Sequence, residues 1–183
     1  MSHDQTPQKD PDPPPFPQPE LDDPDARRRR SLDVELTNPA IRANRRVLAQ
    51  LVRCALAAEG LRHRQVTLVL ADPAAMRAAN RDFHGADEAT DHLGFQYEAP
   101  AGEVSGDIYV CPAVCAGQAA AFGETPRREL ARAVIHGVLH LGGWRDDTPA
   151  RRRRMRARED ELLARAEALA APAAWLRGGR HAG

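Results

Sequence analysis

From residue 31 onward, apolar positions recur with two periods, near two and near 3.6 residues, and the switches between them mark the elements. Leu32–Leu36 (LDVEL) alternates apolar with polar and predicts a strand. Ile41, Leu48, Leu51, Val52 and Ala55 share one helical face, so a helix is expected from Pro39 to Glu59, stopped at Gly60. Gln65–Ala71 (QVTLVLA) is a short β-rich run and reads as a buried strand. Asp72 to Phe83 predicts a second helix. Thr90–Tyr97 and Gly106–Cys111 predict strands around a loop of Gly, Pro and Glu. Pro112–Phe122 is a small-residue helix closed by Gly123. The next helix runs from Thr125 to Leu141 and is broken by Gly142-Gly143. A last helix spans Pro149 to Ala170, with Met155, Leu162, Leu163, Ala166 and Leu169 inward.

Asn38-Pro39, Asp72-Pro73, Thr125-Pro126 and Thr148-Pro149 each put a capping residue directly before a proline. The side-chain oxygen accepts from an amide of the first turn, and proline suits the first helical position, so each pair predicts a helix start. Cys111-Pro112 marks a fifth start without a cap. Strands alternate with helices at first and give way to helices later. The predicted class is α+β, a small mixed sheet packed with about five helices.

Composition limits what this fold can do. Aromatic residues are only 4% of the 183, so aliphatic side chains and alanine must fill the core. No apolar run approaches the roughly 20 residues that span a bilayer, so no membrane partner is expected. No basic flank followed by an apolar stretch opens the chain, so no secretory signal is expected. Cys54, Cys111 and Cys115 are an odd set without a framework and point to a reducing cytoplasm. Residues 1–30 carry eight prolines and one aromatic, Phe16, and are expected to be disordered. The folded domain is expected over 31–170, with a tail at 171–183. The chain has 26 bases and 26 acids; residues 1–26 hold seven of the acids but only Lys9, which leaves 25 bases against 19 acids beyond them. The basic excess concentrates at Arg27–Arg30 and Arg151–Arg158, either as solvated faces or as a phosphate-binding footprint.

The chemistry concentrates in Ala133–Thr148, AVIHGVLHLGGWRDDT. His136 and His140 are four apart and project from one helical face. Such a pair alone is often a surface coincidence. Here it lies in an otherwise apolar helix, a glycine turn follows, and Asp146 returns ten residues after His136. Two imidazoles and a carboxylate with an open position make a catalytic rather than structural metal site, with one zinc per chain expected and catalysis acting through water at the ion. The spacing also fits the zincin pattern H-E-x-x-H-x-x-G-x-x-H, with Gly143 in the glycine slot and Asp146 in the third-ligand slot. Gly137 stands where those proteases carry their general-base glutamate, which argues against a protease. Asp147 is the alternative to Asp146 if the register is shifted by one. Asp107 is read either as a carboxylate that orients a ligand histidine or as a strand-start residue. His84 and His92 are read as cleft residues or as exposed loop residues, His63 as a solvated loop residue, and Cys111 and Cys115 as buried thiols.

HGVLHLGGWRDDTP followed by MRARE (Met155–Glu159) resembles the YbeY family of bacterial rRNA maturation endoribonucleases, whose signature is H-G-x-L-H-L-x-G-x-D-H. Asn80, Phe83, Thr90-Asp91, Phe95, Gly106-Asp107-Ile108 and Arg128-Glu129-Leu130 agree with it in order and spacing, so the resemblance covers about residues 31–170. It implies a zinc-type site and single-strand RNA cleavage in small-subunit rRNA 3′-end maturation and ribosome quality control. The implied partners are rRNA, the small ribosomal subunit and assembly factors, with no DNA. His136 and His140 match the first two family ligands, and Asp146 occupies the slot usually held by histidine. The family's arginine before the T-D motif is replaced by His84; Arg81 or Arg145 is the candidate substitute for binding substrate. The T-D-x-L-S-F segment reads Thr90-Asp91-His92-Leu93-Gly94-Phe95. Two other functions fit less well: a non-catalytic rRNA-binding assembly factor, and a zinc hydrolase or protease of small substrates.

Overall fold

The structure is a computed structural model that describes residues 30–169. The expected disordered arm, apart from Arg30, and the expected tail lie outside those residues, as does the side chain of Leu169. The elements run β1 (Ser31–Leu36), α1 (Arg45–Ala58), β2 (Arg62–Leu70), α2 (Pro73–His84), β3 (His92–Tyr97) and β4 (Glu103–Val110). Helix α3 (Pro112–Ala119) passes into a 3-10 turn, Ala120–Phe122, and is followed by α4 (Pro126–Leu141) and α5 (Pro149–Leu169). The α+β class holds, with a mixed four-stranded sheet and five α-helices among the described residues.

Strand order is β1-β2-β4-β3, with β1, β2 and β4 parallel and β3 antiparallel to β4. Central β2 is buried at Val66, Leu68, Val69 and Leu70, the apolar run expected of a parallel strand covered on both faces. Three of the four proline pairs start helices as expected. Asp72 accepts from Ala75 N, Thr125 from Arg128 N and Thr148 from Arg151 N. Asn38 does not. Its amide oxygen accepts from Ala40 N at 2.9 Å and its Nδ2 reaches Asp72, which closes a turn instead. Helix α1 begins six residues later than that pair's proline, at Arg45, where Asn44 caps it through Val47 N. His63, expected in a loop, lies in β2.

Helix α4 contacts α1, α3, α5, β3 and β4. From Glu129 to Leu141 every residue of α4 is buried except His136 and His140, which are half-buried. Strand parity decides what faces that gap. His92, Gly94 and Gln96 pair with Val110, Ile108 and Gly106, so they share the sheet face that joins the main core under α4. Leu93 and Phe95 point the other way, into a smaller cluster with Met76 and Cys111. Edge strand β3 therefore turns a polar or small side chain toward α4 at every second position.

Gly137 lets α4 approach the sheet. A Cβ there would overlap Ile108 Cγ2. Gly137→Ala is expected to lower the thermal midpoint measured by circular dichroism. Alanine gains about 1 kcal/mol over glycine within a helix, but overpacking of this kind costs about 1–3 kcal/mol. An unchanged or higher midpoint would show that α4 lifts freely from β4.

Candidate metal centre

The end of α4 builds the site locally. Trp144 N donates to Leu139 O and Gly143 N to His140 O, the two bonds of a Schellman turn. Gly143 supplies the left-handed residue that this turn requires, at φ 87°. The turn brings the Trp144 carbonyl back over the helix, where it accepts from His140 Nδ1 at 2.9 Å. It also returns Asp146 to the histidines.

His136 is oriented from the other side. Its Nδ1 is 2.7 Å from Glu159 Oε1 on α5, and Glu159 is 4% exposed. With both Nδ1–H groups donated outward, both Nε2 atoms present lone pairs, and these face each other at 2.9 Å. Two such lone pairs repel unless a proton or a cation lies between them. Nδ1–H donated to a carboxylate or carbonyl with Nε2 left free is the arrangement of histidines that ligate metals. Burial holds the His140 imidazolium below its ordinary pKa, and the neighbouring His136 adds to this, so the neutral ligand form prevails.

The Asp146 carboxylate faces both rings, with its oxygens 3.9 Å from His136 Nε2 and 3.8 Å from His140 Nε2. The Asp147 carboxylate is engaged elsewhere, at 2.7 Å from Arg151 and 3.6 Å from Arg145. His92 comes from β3 to join the pair: one ring nitrogen of each of His92, His136 and His140 lies within 4.8 Å of the others. This donor set fits a divalent ion that takes nitrogen and oxygen ligands.

The whole of this geometry falls inside a segment that matches a known family. The profile of Endoribonuclease YbeY matches residues 32–167. The chain belongs to the YbeY family. Endoribonuclease YbeY of Anaeromyxobacter dehalogenans is 38% identical over 144 residues, 78% of this chain and 72% of the relative. That of Moorella thermoacetica is 36% identical over 129 residues, 64% of this chain and 83% of the relative. A Thermotoga maritima protein solved in solution superposes with a TM-score of 0.54 at 26% identity, covering 74% of this chain and 89% of its own.

Within this YbeY chain, the other expected residues divide. His84 and Arg145 line the same cleft as His92, His140 and Asp146, a cavity of about 420 Å³. Arg81 is absent from that lining and lies 3.5 Å from Asp87 and 3.7 Å from Asp82. Asp107 does not orient a histidine; it accepts from the Tyr97 hydroxyl at 2.8 Å. Strand parity explains this, since Asp107 points to the face opposite α4. Cys111 and Cys115 are buried free thiols, and burial pushes Cys115 up to about 12.

Sequence reasoning missed Glu159 and its partner Arg132. Arg132 is 4% exposed and lies 3.5 Å from Glu159, 2.7 Å from Asp160 and 3.8 Å from Glu129. Glu159 stands four residues after Met155 on the inward stripe of α5, and an acid on a buried stripe was the available signal. Glu159→Gln keeps an acceptor for His136 but removes its charge. It is expected to weaken metal binding about tenfold, at the low end for such outer partners, with an unchanged far-ultraviolet spectrum. Competition titration against a chromophoric chelator measures this, and wild-type affinity would sink the orienting role.

Proposed function

We propose that this chain is a zinc-dependent endoribonuclease that cuts single-stranded RNA in small-subunit rRNA 3′-end maturation and ribosome quality control in the cytoplasm. The observation that carries the reading is the convergence of two outward-anchored imidazoles on the Asp146 carboxylate, within a chain of the YbeY family. His136, His140 and Asp146 would hold the ion. A bound divalent ion supplies Lewis acidity at a phosphodiester and makes water more acidic.

The chain's own residues would do the rest. A groove of about 640 Å³ runs from His92, His136 and Asp146 past Arg152, Arg153 and Arg156 to Phe122. Arginines along such a groove hold phosphates and release counterions. Phe122 is 60% exposed, with the Arg156 guanidinium 6.0 Å from its ring. An exposed aromatic beside cations accepts a splayed base, which only a single strand can offer. rRNA in the small subunit is the proposed partner. Arg145 and His84 border the cleft and would meet the backbone leaving it. Among the described residues no helix is long and apolar enough to cross a membrane.

A second reading, a non-catalytic rRNA-binding factor, is favoured by His84 in the slot where the family carries arginine, since imidazole lacks a fixed cationic fork. A protease reading gains nothing from the fold, because position 137 faces Ile108 rather than the histidines.

Cleavage of an end-labelled single-stranded rRNA fragment is expected to stop after chelation, to return with added zinc, and to be lost in His140→Ala. Binding without cleavage at any metal loading would leave the assembly-factor reading in front. Phe122→Ala is expected to raise the Kd for single-stranded RNA about tenfold, from a stacking loss of about 1–3 kcal/mol, and to leave metal content unchanged. An unaltered Kd would remove Phe122 from the binding surface.

A further inference from the structure

We propose that His92 is itself a metal ligand in this chain, a third imidazole carried by β3 that joins His136, His140 and Asp146 in a four-donor set. The inference rests on the metal reading above. It adds a residue outside the α4–turn motif and from a different element of the fold.

The first observation is position. Pairing of His92 with Val110 puts it on the α4 face of the sheet. Its ring centroid is 4.1 Å from that of His136 and 5.9 Å from that of His140, and the latter two are 4.5 Å apart. Imidazoles bound through Nε2 to one tetrahedral ion, at bond lengths of about 2.0–2.1 Å, have centroids roughly 5 Å apart. The three rings bracket that separation, and one nitrogen of each already lies within 4.8 Å of the others.

The second observation is orientation. His92 Nδ1 is 3.1 Å from Asp91 Oδ1. That oxygen also accepts from the His92 backbone amide at 3.0 Å and from the Thr90 hydroxyl at 3.1 Å. His92 thus donates Nδ1–H to a fixed acceptor, as His136 does to Glu159 and His140 to the Trp144 carbonyl. In all three rings it is Nδ1 that is anchored to an oxygen acceptor. A ring that served only to pack against His136 would need no anchored tautomer.

The third observation is what lies around the ring. His92 lines both the cleft with His84 and Arg145 and the groove with Phe122 and Arg152. It therefore stands where those two depressions meet at the histidine pair. A donor there closes the position that two imidazoles and one carboxylate leave open. Of the residues that would hold the ion, His92 is the one on the strand that borders both openings.

The test is a cobalt(II) titration of the full-length, chelator-treated chain, read by its visible ligand-field bands, with zinc affinity from competition against a chromophoric chelator. Wild type, His92→Ala, His92→Gln and His140→Ala are compared, with thermal melts of the metal-free proteins as the check on folding. Wild type is expected to bind one cobalt. Both His92 variants should still bind it, with shifted bands and zinc affinity at least about tenfold lower, since even outer partners cost about 10–100-fold. If His92→Ala does not fold, His92→Gln carries the comparison. Bands and affinity equal to wild type in a folded His92 variant would overturn the proposal and leave the metal reading standing. A wild type that binds neither cobalt nor zinc would overturn the metal reading, and this proposal with it.

Discussion

Helix α4 has to be buried on almost every side, and the rest of the molecule follows from how that is done. A helix that packs against three others and two strands must be apolar nearly all round, and this one is, from Leu130 to Leu141, apart from two paired histidines and Arg132. Its approach to β4 needs Gly137 over Ile108. Once that spacing is set, β3 at the sheet edge has only His92, Gly94 and Gln96 to offer on the α4 side. No large apolar side chain fills the space there, so a cleft opens directly above His136 and His140.

Burying α4 also brings charge into the interior, and the charges are arranged to compensate one another. Glu159, at 4% exposure, is paired with His136 on one side and Arg132 on the other. Removing one member of such a buried pair generally costs about 3–5 kcal/mol, whereas replacing the whole network by apolar residues often costs nothing. The network is thus poor value as a source of stability. Its persistence is better explained by what it fixes, namely the tautomer and angle of His136.

Much of this was legible in the sequence because it depends on local rules. The 3.6-residue stripes, the Asp72, Thr125 and Thr148 caps and the Gly143 turn are all set by neighbours within a few positions. The His136–His140 pair is equally local. Asn38 misled because its carboxamide has two uses, a helix cap and an Asx turn, and the hydrogen bond it donates to Asp72, which decided between them, spans 34 positions. The role of Asp107 and the arrival of His92 hang on which face of the sheet each occupies. Strand register fixes that, and a one-residue slip reverses it. Glu159 was hidden for a related reason: an inward acid on α5 has meaning only once α4 is known to lie beneath it.

Charge gives the site its last constraint. A divalent ion with Asp146 would carry one net positive charge, where three neutral imidazoles would leave two. Asp91 and Glu159, which anchor His92 and His136, subtract two more, while the charge of buried Arg132 beside Glu159 is itself matched by Asp160 at 2.7 Å and Glu129 at 3.8 Å. The centre itself then carries no net positive charge and is a weak attractor for a polyanion. Attraction has to come from outside it, from Arg145 at one opening and from Arg152 and Arg153 along the other. These groups lie at exposed positions, where salt screens their field over about 8–10 Å. An RNA backbone would therefore be held by the groove walls and positioned by Phe122, while the centre acts on whichever phosphodiester those contacts deliver.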